Sequence, residues 1–273
     1  MVAIVTDSTA DLPPARAESL GIHVVPLIVT IDGVSYDDGS ELPPKAYYEK
    51  LARARAIPST SQPSPARFKE LYERLEADEI LSIHISGGLS GTINSAKAAA
   101  AEVPGKRIRV VDSRAVSLGL GFLAQMAATA ARGGAGVDDL AELVEASVSK
   151  TGFYAVLDTL QHAQRSGRIS FAQALLGSML QIKPIITLRN GVVESLDRPR
   201  TMRRAIERVV ELTTADAPLQ HLAVLHANNE TVAGELATRL AEAAPGGAEI
   251  VCTGAVIGTH CGPGAVAACY VRA

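Results

Sequence analysis

Ser86-Gly87-Gly88-Leu89-Ser90-Gly91-Thr92 places hydroxyls and glycines between an apolar run, Ile80 to Ile85, and a helix-forming run, Ile93 to Glu102. That order predicts a strand, a Gly/Ser loop and a helix. The start of a helix leaves unpaired N–H groups and a partial positive charge. Glycines let a ligand approach the backbone, and serine and threonine hydroxyls add donors. Such a loop suits a phosphate or a carboxylate. It is not a Walker A loop, because no Gly-Lys-Ser/Thr follows, and Gly88-Leu89-Ser90-Gly91-Thr92 falls one residue short of a G-x-S-x-G elbow. The same residues also read as a tight strand-to-helix turn with a capping serine.

Gly258-Thr259-His260-Cys261-Gly262-Pro263-Gly264 reads as a glycine-rich loop fixing one histidine between two strands. An imidazole there could donate to an anion or act as an acid or base near neutral pH. Pro58 to Pro65 is rich in proline and hydroxyls, so it reads as an extended loop, and it supplies Thr60 and Ser61. Arg198, Arg200, Arg203, Arg204 and Arg208 form a basic cluster, read mainly as a solvated helix face, with Arg200 the member best placed to meet an anion. Arg165-Ser166-Gly167-Arg168 is a second basic turn, equally suited to a partner. Asp7 follows the first strand, where its carboxylate could hold loop N–H groups. His84 and Cys252 lie in strand-like runs and read as core.

The elements that must position these residues follow from the pattern of the 273-residue chain. Short apolar strands alternate with helices up to residue 150, which predicts a parallel sheet in a three-layer α/β/α domain. Val24 to Val29 reads as one strand with Pro26 at an edge or bulge, and Ile31 to Tyr36 as a hairpin. In such sheets ligands sit beyond the carboxyl ends of the strands, where Asp7-Ser8, Thr60-Ser61 and Ser86 to Thr92 could gather. From residue 151 hairpins mix with helices, including an Asn190-Gly191 turn, which predicts a second, two-layer mixed-sheet α/β domain over 151–273. An amphipathic helix is expected at Ile169 to Leu180.

Composition excludes several functions. The net charge of −3 argues against bulk binding to nucleic acid, and aromatics at 4% without tryptophan argue against base stacking. Three cysteines, Cys252, Cys261 and Cys269, match no zinc spacing and read as reduced thiols. No metal site or cofactor is expected. No signal peptide or membrane-length apolar run is visible, so a cytoplasmic location is expected.

These stretches occur together, in order, in one family. Val2-Ala3-Ile4-Val5-Thr6-Asp7-Ser8, Pro58-Ser59-Thr60-Ser61-Gln62-Pro63, Ser86 to Thr92, Ser166-Gly167-Arg168-Ile169, Lys183-Pro184-Ile185, Arg200-Thr201 and Gly258 to Gly264 make the chain resemble the DegV family of bacterial fatty-acid-binding proteins over nearly its whole length. The resemblance implies two α/β domains with a lipid between them, a DegV-like fold. It implies a binding protein rather than an enzyme, with no catalytic residue of its own. Thr60, Ser90 and the Gly91 N–H would hold the fatty-acid carboxylate, with Ser61, Thr259 and His260 beside them and Arg200 near the head group or a kinase-facing surface. Some members hand the acid to a separate fatty acid kinase, which makes an acyl phosphate and feeds phospholipid metabolism. The aliphatic side chains of Ser117 to Met126 and Phe171 to Ile182 could line the tail pocket.

Two rival readings follow from the residues. One is a serine hydrolase using Ser90 and His260, with Asp7 orienting the imidazole. The other is a phosphosugar-binding module, which would demand more positive charge near the loop than Lys97 supplies.

Overall fold

The computed structural model describes residues 2–168 and 182–273. The helix expected at Ile169 to Leu180 lies outside the described residues, as does the tail-lining run from Phe171 to Gln181, whereas its last residue, Ile182, is described.

The strands are β1 Ala3–Asp7, β2 Ile22–Val25, β3 Ile28–Ile31, β4 Val34–Asp37, β5 Ser59–Ser61, β6 Glu79–His84, β7 Arg107–Asp112, β8 Thr151–Val156, β9 Ile185–Arg189, β10 Val192–Asp197, β11 Leu219–His226, β12 Glu249–Cys252 and β13 Val266–Arg272. β2-β1-β6-β7 form a sheet in which every pairing is parallel. Its strands alternate between two covered faces, as period-2 side chains must. Ile4, Leu81 and Ile83 pack with the helices Leu118–Arg132 and Val137–Val148, whereas Val5 and Ile80 pack with Pro65–Arg74 and Thr92–Ala101. That is the α/β/α sandwich the pattern predicts.

Pro26 splits the expected Val24 to Val29 strand. β2 stays in the parallel sheet, and β3 leaves it to pair antiparallel with β4 and β5. Ser59–Ser61 is therefore a short strand, not wholly irregular chain, because β3 offers it an open edge. This pairing sets Thr60 opposite Val29.

The third sheet is mixed, in the order β10-β9-β8-β13-β11-β12. One face carries Val156, Val224, Val266 and Ala268 under the helices Met202–Ala215 and Glu230–Arg239. The other face carries Ala155, Leu157, Ala223, Leu225 and Ala267. It packs on Leu27, Val29, Tyr47, Leu118 and Phe122 from the first half of the chain. The two halves thus share one apolar seam, and the candidate site opens along it.

His260 is not in a loop between strands. Ala255–Cys261 is a helix with His260 in its last turn. Gly258 sits inside that helix because a Cβ there would lie 2.6 Å from the Tyr48 hydroxyl and 2.7 Å from the Tyr47 ring. Only Gly262 and Gly264, at φ 77° and 87°, use the left-handed region to leave the helix.

Candidate functional site

Five of the seven expected residues meet at one cavity. Thr60, Ser61, Ser90, Gly91 and His260 line it together with Gln62 and Arg168, and Leu27, Ile85, Leu89, Val116, Phe153, Ile186, Val193, Val256, Ile257 and Cys261 make an apolar body. The space is about 130 Å³. Polar groups lie on one side and hydrocarbon on the other, an arrangement that fits an amphipathic ligand. A wider cleft of about 740 Å³ also has Val116 and Phe153 in its wall. From the helix expected to line the tail, Leu118, Leu120 and Leu123 are instead spent in core packing, and the preceding Val116 reaches the cavity.

The hydroxyl loop is held from below. Ser86 Oγ donates to the Gly191 carbonyl at 2.6 Å, which ties the loop to the β9–β10 turn. Leu89 and Ser90 N–H both donate to the Ser86 carbonyl. Ser90 Oγ lies 2.8 Å from Thr92 Oγ1 and accepts from the Thr92 N–H at 3.3 Å. The Gly91 N–H meets no acceptor among the described residues, so it stays available at the start of helix Thr92–Ala101.

Across the cavity, Thr60 Oγ1 lies 2.8 Å from His260 Nε2. Among the described residues, His260 Nδ1 is buried without a hydrogen-bond partner. A tautomer with its proton on Nδ1 would strand a buried donor, so the favoured one carries it on Nε2 and donates to Thr60. The Thr60 hydroxyl proton is then free to turn toward an anion. Burial pushes the imidazole down to about 4, helped by the positive charge of Arg168 and by His162. His260 is therefore neutral at neutral pH, and Arg168 is the cation among the described lining residues. Replacing Arg168 with alanine removes the second-largest of those causes. The His260 resonance in an NMR titration is expected to move at higher pH in Arg168→Ala, and an unchanged midpoint would contradict the placement.

Two expected residues lie elsewhere. The Thr259 hydroxyl is buried, donates to the Ala255 carbonyl at 2.8 Å and meets the Tyr47 hydroxyl at 3.0 Å. Arg200 is exposed beyond β10 and is not among the residues lining the cavity. Arg168 was the reverse case, a residue that reads as a surface turn in sequence. Gly167, at a φ of 68°, ends the helix Gln161–Ser166 just before Arg168.

A Ser-His-Asp triad is not assembled. Ser90 bonds Thr92, His260 bonds Thr60, and Asp7 serves His84. Asp7 accepts from Ile85 N–H at 3.0 Å and lies 3.0 Å from His84 Nδ1, while His84 Nε2 is 2.7 Å from Ser82 Oγ, which accepts from Tyr72. Asp7, His84 and Ser82 are fully buried. This network anchors the end of β6, the strand that feeds the hydroxyl loop.

The helix that carries His260 is clamped at its start by two more carboxylates. Asp11 accepts from Gly254 N–H at 2.8 Å and Asp38 from Ala255 N–H at 2.9 Å. Burial raises Asp11 to about 7 against hydrogen bonds from Ser117 and Gly254. Burial likewise raises Asp38 to about 6, against hydrogen bonds that include one from Ser8. A raised carboxyl binds more protons in the folded than in the unfolded chain, so its stabilisation is complete at low pH and is lost as pH rises through the folded value. The stability of the wild type relative to Asp11→Asn is expected to fall by about 1 kcal/mol between pH 6 and pH 8. Urea unfolding of both proteins checks this. The opposite-signed titration of His260 is common to both and cancels, and a pH-independent difference would refute the assignment.

Among the described residues no group of His, Cys, Asp and Glu is arranged to hold a metal ion, and no helix is long and apolar enough to cross a membrane.

This architecture is shared with known proteins. A family model described as "Uncharacterised protein, DegV family" matches residues 1–273. The chain belongs to the DegV family. A DegV domain-containing protein of Streptomyces coelicolor is 41% identical over 271 residues, covering 96% of this chain and 95% of the relative. A DegV family protein of Thermus thermophilus, solved in a study of its fatty acid binding, superposes with a TM-score of 0.90 at 36% identity over 99% of both chains. DegV of Bacillus subtilis, described as a fatty acid binding protein, gives 0.89 at 37% identity over 99% of this chain and 98% of that one. The DegV architecture thus accounts for the parallel sheet, the mixed sheet and the seam between them.

Proposed function

We propose that this chain binds a long-chain fatty acid at the seam between residues 1–150 and 151–273, acting as a carrier and not as an enzyme. The observation that carries the reading is the convergence of Thr60, Ser90, Gly91 and His260 at the polar end of an otherwise apolar cavity. Hydroxyls, a free N–H, a helix start and Arg168 suit a singly charged carboxylate. Burying about fifteen methylenes gains roughly 12 kcal/mol before association and ordering costs, so the tail supplies affinity and the head supplies register. A tail longer than the small cavity enters by parting side chains, and the shared Val116–Phe153 wall points toward the wider cleft. The fatty acid binding of the Thermus thermophilus and Bacillus subtilis relatives supports the same ligand class here.

We further propose that the bound acid is presented to a separate fatty acid kinase, as the family resemblance implies, and that this takes place in the cytoplasm. Exposed Arg198, Arg200 and Arg204 make no ion pair among the described residues and offer charge to such a partner. Native mass spectrometry of the purified protein tests the binding. A lipid-sized adduct, or uptake of added palmitate or oleate, is expected; a bare protein that takes up neither would end the reading. For the kinase, ATP-dependent phosphorylation of palmitate should require this chain to be present.

A further inference from the structure

Gly91 poses a question that its backbone does not answer. Its φ of −75° and ψ of 6° suit any residue, so no turn requires glycine there. The reason lies in a neighbour. The Gln62 side chain crosses directly over Gly91: a Cβ at 91 would overlap Gln62 Oε1 and would lie 2.8 Å from Cδ and 3.0 Å from Nε2. Gln62 then continues across to helix Thr92–Ala101, where Nε2 donates to Ser95 Oγ at 3.0 Å. Ser95 is only 3% exposed, whereas Gln62 is exposed on its outer side. Gln62 also follows directly on β5, the strand that carries Thr60. One side chain therefore spans from the Thr60 side of the head site to the Ser90 side, between the cavity and solvent.

We infer that Gln62 is a latch across the carboxylate end of the cavity, and that position 91 is glycine to let it close. The inference rests on the fatty-acid reading above. The Gln62–Ser95 hydrogen bond joins the two hydroxyl-bearing segments, so a ligand head held between them is shielded while the bond is made. Breaking it swings a flexible, solvent-facing side chain outward at the loss of one hydrogen bond. Nothing in the core has to move. Gln62 is thus a gating residue and Thr60, Ser90 and Gly91 N–H the holding groups.

The consequence is a specific non-additivity. Gly91→Ala keeps the N–H and the backbone conformation but evicts Gln62, so it should behave as Gln62→Ala does. Stopped-flow measurement of palmitate association and release with the full chain reads this directly. Each single variant is expected to speed both association and release by about tenfold, and the double variant to match the singles instead of reaching about a hundredfold. Multiplicative effects in the double variant would overturn the latch, as would release rates equal to wild type in Gln62→Ala. A variant that loses affinity without a faster association step would also overturn it, because that pattern marks a holding group. A wild type that binds no palmitate would overturn both the latch and the function, whereas binding with unaltered rates in the variants overturns the latch alone.

Discussion

Val193→Asp is expected to lower palmitate affinity by about 100-fold or more while the protein stays folded. Val193 sits on β10, at the end of its sheet, half-buried and facing the cavity beside Ile186 and Val256. An aspartate there puts a second carboxylate in the space that the acyl chain must fill. Either its charge loses solvation or the tail stays in water, and both remove the term that dominates affinity. An end strand tolerates the change better than the sheet centre, so circular dichroism and the unfolding midpoint should stay close to wild type. Val34→Asp, at a position already 52% exposed on another sheet, is the matching control and should bind normally. Isothermal titration of palmitate decides the matter. Normal affinity in Val193→Asp would place the tail elsewhere.

The second large effect belongs to the head. Thr60→Val combined with Ser90→Ala is expected to weaken palmitate binding by about 10- to 100-fold, from the worth of hydrogen bonds to a charged acceptor. The loss should be larger for the free acid than for methyl palmitate, whose ester presents no charge. Thr60→Val also strips the His260 ring of its hydrogen-bond partner among the described residues, because Nδ1 has none there. Equal losses for acid and ester would mean that the hydroxyls shape the cavity without reading the carboxylate.

Several features are legible in the sequence. The parallel sheet followed from short apolar strands separated by helices, since such strands can be paired in parallel only with crossovers on both faces. The hydroxyl loop was visible because glycine, serine and threonine cluster where a strand meets a helix. The His260 stretch reads as a loop in sequence because a glycine count carries no information about what packs against each glycine. Gly258 faces two tyrosine rings within a helix, and Gly262 ends it. Thr259, next to His260 in sequence, points a hydroxyl into the core, since adjacent helical positions face different directions. Arg168 reads in sequence only as part of a basic turn, because nothing local distinguishes a cation that borders a cavity from one on open surface.

The alternation of short apolar strands with helices up to residue 150, the net charge of −3 and the hydroxyl-glycine loop were determined by the sequence alone. They rest on local periodicity, composition and the chemistry of neighbouring residues. Tertiary structure alone decided which side chains share one space. Thr60 meets His260 across 200 positions, Asp11 caps a helix 243 positions away, and Gln62 explains a glycine that its own φ and ψ do not. Such contacts depend on how two sheets pack along a seam, and no spacing within a segment records that geometry.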